Sequence, residues 1–154
     1  MSDTGKVAPA TTSARDGGCF CGAVRYRAAM PALWVAHCHC SMCRRAQGAA
    51  FVTWVGIAKD GFDFLSGSEA LEHYHSSLSA IRSFCRRCGS PLLFQSTRWP
   101  GETHVTLASF DDPEGLEPRA HAYWSARAPW GDWCGRELAI SEPPDHDAPP
   151  TSSS

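Results

Sequence analysis

The chain has 154 residues, a formal net charge of −2 and a 43% hydrophobic fraction that includes six Trp and seven Phe. That length suits one domain with a real core. The charge gives no purchase on nucleic-acid phosphates, and no stretch approaches the ~20 apolar residues of a membrane-spanning helix.

In chain order, Met1–Asp16 is rich in Ala, Thr and Ser, with few bulky apolar groups and no apolar run resembling a secretory signal. Such a segment buries too little surface to offset its ordering entropy, so residues 1–16 are expected as a disordered tail. Val24–Arg27 alternates as a half-buried strand does. Leu33–Ala36 is strand-like, and Ser41–Gln47 reads as the one helix, with Ser41 as N-cap. Phe51–Ile57 is rich in aromatic and β-branched residues, and Leu92–Phe94 and His104–Leu107 are further short strands. Gly and Pro punctuate between them, as at Gly61, Gly89 and Pro100. The folded unit is expected to span 17–140 as a mainly β domain with antiparallel sheets and little helix. Residues 141–154, with four prolines and three final serines, are expected as a second disordered tail.

Seven of the eight cysteines fall in three tight clusters: Cys19 and Cys21; Cys38, Cys40 and Cys43; Cys85 and Cys88. Thiols grouped so closely without a secretory signal point to metal ligands rather than disulfides, and to a soluble protein of the reducing cytoplasm. On a strand, Cys19 and Cys21 share a face with Cα atoms ~6.6 Å apart, within reach of one metal. Cys85 and Cys88 have zinc-knuckle spacing, with Gly89 allowing the turn. These four make a closed site. Cys38, Cys40 and Cys43 then offer three sulfurs to a second metal and leave a fourth position for water or substrate. Spacing leaves another partition open, in which Cys40, Cys43, Cys85 and Cys88 form a ribbon site.

His39 lies between two candidate ligands, and strand alternation aims it, like His37, at the opposite face as a packed or supporting side chain. His73 and His75 read as surface residues. Cys134 stands alone and reads as a small buried hydrophobe. The Arg pairs Arg44–Arg45 and Arg86–Arg87 adjoin the thiols. They either balance thiolate charge or offer planar forks to a ligand's carboxylates.

The runs Gly18–Tyr26, Cys38–Arg45 with Gly48-Ala49, Phe84–Leu92, and Ala128-Pro129-Trp130 together resemble, in order, the motifs of the glutathione-dependent formaldehyde-activating enzyme family, which also contains centromere protein V. The resemblance implies a tent-like arrangement of antiparallel sheets and two zinc ions per chain. One would be structural, on Cys19, Cys21, Cys85 and Cys88. The other would be reactive, on Cys38, Cys40 and Cys43. It also implies a carbon–sulfur lyase that forms or cleaves S-hydroxymethylglutathione from glutathione, or another small thiol, and formaldehyde or a related aldehyde. Arg44 and Arg45 are the first candidates for binding the peptide's carboxylates. Trp54, Trp124 and above all Trp130 are candidates for the pocket wall. The competing readings are a non-catalytic zinc-binding module of the same fold and a thiol reductase using Cys134. A chromatin-binding role would need a basic extension, whereas Met1–Asp16 balances Lys6 and Arg15 against Asp3 and Asp16.

Overall fold

The computed structural model describes residues 13–131 and the backbone of a strand at 139–141. Strands β1 (Ala14–Gly18), β2 (Arg25–Ala29) and β5 (Phe62–Ser66) form a three-stranded antiparallel sheet in the order β1-β2-β5. The other eight strands form one sheet, ordered β11-β10-β3-β4-β9-β8-β7-β6. They are β3 (Trp34–Cys38), β4 (Val52–Ala58), β6 (Leu71–His75), β7 (Ala80–Cys85), β8 (Pro91–Ser96), β9 (Glu102–Thr106), β10 (Ala120–Ala122) and β11 (Ala139–Ser141). Every pairing is antiparallel except those of β10, which runs parallel to both β3 and β11. One α-helix, α1 (Ser41–Gln47), and short 3-10 turns complete the described residues. The mainly β expectation therefore holds. No helix among the described residues is long and apolar enough to cross a membrane.

The two sheets lean on a shared core. Val24, Tyr26 and Ala28 come from the β1–β2 side, and Val55, Ile57, Leu93 and Val105 from the larger sheet. Tyr26 is fully buried, stacks on Phe62, meets Phe110 edge-on and bonds its hydroxyl to Ser109 Oγ at 2.7 Å. A buried phenol needs such a partner.

Several sequence expectations shift. The N-terminal strand begins at Ala14, so Ala14–Asp16 belong to the sheet, where Asp16 pairs with Arg27 at 2.7 Å. Cys19 and Cys21 do not sit on a strand. They occupy the turn between β1 and β2, closed by Gly22 N–H donating to the Cys19 carbonyl at 3.0 Å. The cap of α1 is Cys40 rather than Ser41: its sulfur accepts from Cys43 N–H at 3.2 Å. Sulfur thus does a job more often done by a hydroxyl. The expected tail residues 1–12 and 142–154, together with Cys134, lie outside the described residues.

Candidate metal and substrate site

The β1–β2 turn and the β7–β8 turn meet edge to edge. Cys85 ends β7, and Gly89 bends the chain back with φ +75°, a left-handed conformation that favours glycine. Ser90 joins the two turns: its hydroxyl accepts from Phe20 N–H at 3.0 Å and meets Cys88 Sγ at 3.2 Å. That contact holds the Cys88 thiol down at about 5. The sulfurs of Cys19, Cys21, Cys85 and Cys88 all lie within 4.8 Å of one another. Two of the separations are 3.6 Å and 3.8 Å. Four sulfurs at ~2.3 Å from one zinc in a tetrahedron stand ~3.8 Å apart, so this set fits such an ion. All four are free thiols, and the cluster reaches from core to surface: Cys19 and Cys85 are buried, Cys88 is half-buried and Cys21 exposed.

The second cluster is interior. Cys38 ends β3, Cys40 caps α1, and Cys43 returns from the first helical turn. All three are buried, and their sulfurs also lie within 4.8 Å of one another. This geometry selects the grouping of four and three over the ribbon alternative. Either group could hold a metal ion. Hydrogen bonds from Cys38 and Cys40 pull the Cys43 thiol far below its ordinary range, and the Arg82 guanidinium helps. The same contacts push Cys38 up. One negative charge is thus already favoured at Cys43.

Beside the trio opens a cavity of about 460 Å³. Cys38, Cys40 and Cys43 line it, with Trp34, Trp54, Phe94, Trp99 and Tyr123 as aromatic walls. The strand register builds one wall: Arg82 pairs with Phe94, Phe94 with His104, His104 with Gly56 and Gly56 with Trp34. Gly56 is required there, because a Cβ would stand 2.3 Å from the Trp34 ring. Trp34 Nε1 donates to Glu102 Oε2 at 3.0 Å, and His104 Nε2 meets the same oxygen at 2.8 Å. Tyr123 sits in the left-handed region at φ 56°, an uncommon conformation for a bulky residue and one that concentrates at functional sites.

The histidines flanking Cys38 form a backing layer. His39 is buried, meets His121 Nδ1 at 2.8 Å through Nε2, and lies edge-on to Trp124. Burial first, then the field of His121, lowers His39 to about 4 and His37 likewise. His73 and His75 are exposed on β6, with His73 bonded to Ser83.

Of the Arg candidates, Arg44 donates through Nε to the His39 carbonyl at 3.2 Å, bracing the cysteine loop. Arg45 lines an adjoining recess bordered by Tyr74, Phe84 and Arg82. Neither lines the main cavity, where the guanidinium residues are Arg82, Arg98 and Arg119. Trp130, favoured from sequence as a wall, is 66% exposed and does not line the cavity. Trp124 packs behind it on His39 and His121, and Trp54 is a wall as expected. Sequence reasoning missed Arg82, Trp34, Glu102 and His104. The signal for Arg82 was its place three residues before Cys85, on the opposite face of one strand.

A two-sheet β domain thus carries a four-sulfur and a three-sulfur cluster, each able to hold a metal ion, with a cavity against the latter. The family model described as glutathione-dependent formaldehyde-activating enzyme matches residues 14–126. The chain belongs to that family. A Halomonas elongata protein, provisionally named as a glutathione-dependent formaldehyde-activating enzyme, is 28% identical over 130 residues, covering 79% of this chain and 82% of the relative. An uncharacterized lyase of Schizosaccharomyces pombe is 32% identical over 101 residues, covering 66% of this chain and 72% of the relative. A crystal structure of a Rhodobacter sphaeroides protein superposes with a TM-score of 0.55 at 26% identity, covering 82% of this chain and 99% of that one.

Proposed function

We propose that this protein is a zinc-dependent carbon–sulfur lyase that forms or cleaves the adduct of a small thiol, glutathione being the first candidate, with formaldehyde or a related aldehyde. The observation that carries the reading is the buried Cys38–Cys40–Cys43 trio lining an aromatic cavity large enough for a peptide-sized thiol. Zinc is the metal proposed for both clusters, structural on Cys19, Cys21, Cys85 and Cys88 and reactive on Cys38, Cys40 and Cys43. At the reactive cluster the ion supplies a Lewis acid and a seat for sulfur as thiolate.

The protein's own groups bind and orient. Trp34, Trp54, Phe94 and Trp99 exclude water around the reacting carbon. Arg98 and Arg119 on the cavity wall, and Arg45 in the adjoining recess, are the proposed seats for the ligand's carboxylates. Arg44 holds the cysteine loop in place. Glu102, its Oε2 already tied to Trp34 and His104, is a fixed anion among aromatic faces and suits an ammonium group. Reduced thiols fit a cytoplasmic setting.

The test is the rate of hemithioacetal formation from glutathione and formaldehyde, followed by NMR exchange with zinc-loaded protein. The expected result is a rate proportional to protein concentration above the spontaneous reaction. A rate unchanged over a tenfold protein range, for glutathione and for a panel of small thiols, would overturn the reading.

A further inference from the structure

The cavity is lined by one imidazole, that of His104. His37 and His39, nearer the cysteine trio in sequence, bond to Thr53 and His121 and do not line the space. β9 carries Glu102 and His104 on one face, so that Glu102 Oε2 meets His104 Nε2 at 2.8 Å. Trp34, two strands away through Gly56, donates to the same oxygen at 3.0 Å and fixes the carboxylate. As an anion Glu102 only accepts, so the imidazole presents its N–H at Nε2, and in the neutral form Nδ1 keeps a bare lone pair. Burial holds His104 below its ordinary 6.5, with Glu102 and then Cys43 pulling the other way. The rings packed on it carry no charge: Trp34 at 4.6 Å, and Phe94 and Trp99 at 5.5 Å. Nδ1 has no hydrogen-bond partner among the described residues. The one buried side-chain nitrogen or oxygen there without a partner is Arg82 Nη1. Nδ1 is therefore open to a water-sized molecule, and the space beside the ring is the cavity.

We infer that His104 is a catalytic residue whose Nδ1 takes the proton of the incoming thiol and returns it to the oxygen of the adduct, with Glu102 and Trp34 holding the ring. The inference rests on the thiol-adduct reading above. In the forward direction the thiol's S–H bond breaks and its proton moves to Nδ1. The sulfur pair forms the C–S bond, the carbonyl π pair moves to oxygen, and the Nδ1 proton passes to that oxygen, giving the hydroxymethyl thioether. The imidazole ends neutral, as it began, and cleavage runs the same changes backwards. No oxidant or reductant is needed. Sulfur and oxygen sit on one carbon, so a single base reaches both. A base oriented by a third group is the general arrangement for activating a nucleophile. The guanidinium groups of Arg82, Arg98 and Arg119 cannot accept a proton, and Glu102 Oε2 already holds two donors.

The experiment has two readouts on zinc-loaded protein. Long-range nitrogen–proton NMR of the histidine rings at neutral pH is expected to show His104 with its proton on Nε2 and none on Nδ1. Saturating glutathione is expected to shift the Nδ1 resonance. Exchange NMR of hemithioacetal formation then compares wild type with His104→Gln, which can still donate an N–H to Glu102 but offers no basic nitrogen. The variant is expected to lose about 100-fold in kcat, while KM for glutathione moves only a few-fold and zinc content is unchanged. Should His104→Gln shed zinc or fail to fold, the wild-type spectrum decides. A proton on Nδ1 of the free protein, an Nδ1 resonance unmoved by bound glutathione, or a kcat within threefold of wild type in the zinc-loaded variant overturns the role of His104 alone. A wild-type rate no greater than the spontaneous one, for glutathione and for other small thiols, overturns the thiol-adduct reading and this inference with it.

Discussion

The two cysteine clusters place the same atom in opposite settings. The four-sulfur cluster sits where two turns touch and reaches the surface, with Cys21 exposed, and its ligands come from segments 64 residues apart in Cys21 and Cys85. The three-sulfur cluster is buried, comes from one six-residue segment, and opens on a cavity. The first can join distant parts of the chain. The second joins nothing that the strand and helix do not already join. A metal is worth most to the fold where it closes a long loop, and most to chemistry where it leaves a side open.

The largest expected effect tests that contrast directly. Apparent free energies of structural zinc binding, ~10–16 kcal/mol, are comparable with a whole domain's stability. Cys85→Ser should therefore abolish the cooperative thermal transition. Cys40→Ser should lose one metal equivalent by elemental analysis and keep a cooperative transition. Both variants staying folded with undiminished metal would break the comparison.

A middle-sized effect belongs to the cavity side. Gly56→Ala places a methyl 2.3 Å from Trp34 and must displace it from Glu102. Overpacking of this kind costs about 1–3 kcal/mol, read by urea unfolding. Metal content at both clusters should be unchanged. Loss of metal from the four-cysteine cluster would show that the two regions are not separable.

The smallest effect lies next to the surface cluster. Arg25, which opens β2 just after the Cys19–Cys21 turn, pairs both terminal nitrogens with Asp111, and that hydrogen bonding lowers the Asp111 carboxyl from its ordinary 3.8. The folded state therefore holds this proton less tightly than the unfolded chain. The pair's contribution is complete above the unfolded value and is lost as pH falls below about 4. Both groups are partly exposed, so Asp111→Asn should cost less than about 1 kcal/mol. That cost should stay constant from pH 5 to 8. A cost varying within that range would assign the effect to another group.

The elements legible in the sequence were those with local signals. The spacing of Cys40-x-x-Cys43 and Cys85-x-x-Cys88 pointed to grouped sulfurs able to hold a metal, and α1 spans the residues its pattern marked, Ser41–Gln47. The alternation within Phe51–Ile57 marked β4 to within one residue at each end. The cavity was not legible, because its wall is a row across strands. Trp34, Gly56, His104, Phe94 and Arg82 become neighbours only through register, and register depends on pairings between residues up to 48 positions apart, as in Gly56↔His104. Trp130 misled because its motif is local while its environment is not: Ala128 is fully buried, and two residues later the indole faces solvent.

Strand β7 serves both clusters. Cys85 leaves its end toward the four-sulfur group, while Arg82, three residues earlier, projects from the other face to touch the Cys43 sulfur. One short ribbon of backbone therefore sets the spacing between the outer knuckle and the guanidinium in the cavity. A variant that displaces the knuckle is expected to move that guanidinium as well, even with the chamber's own lining intact.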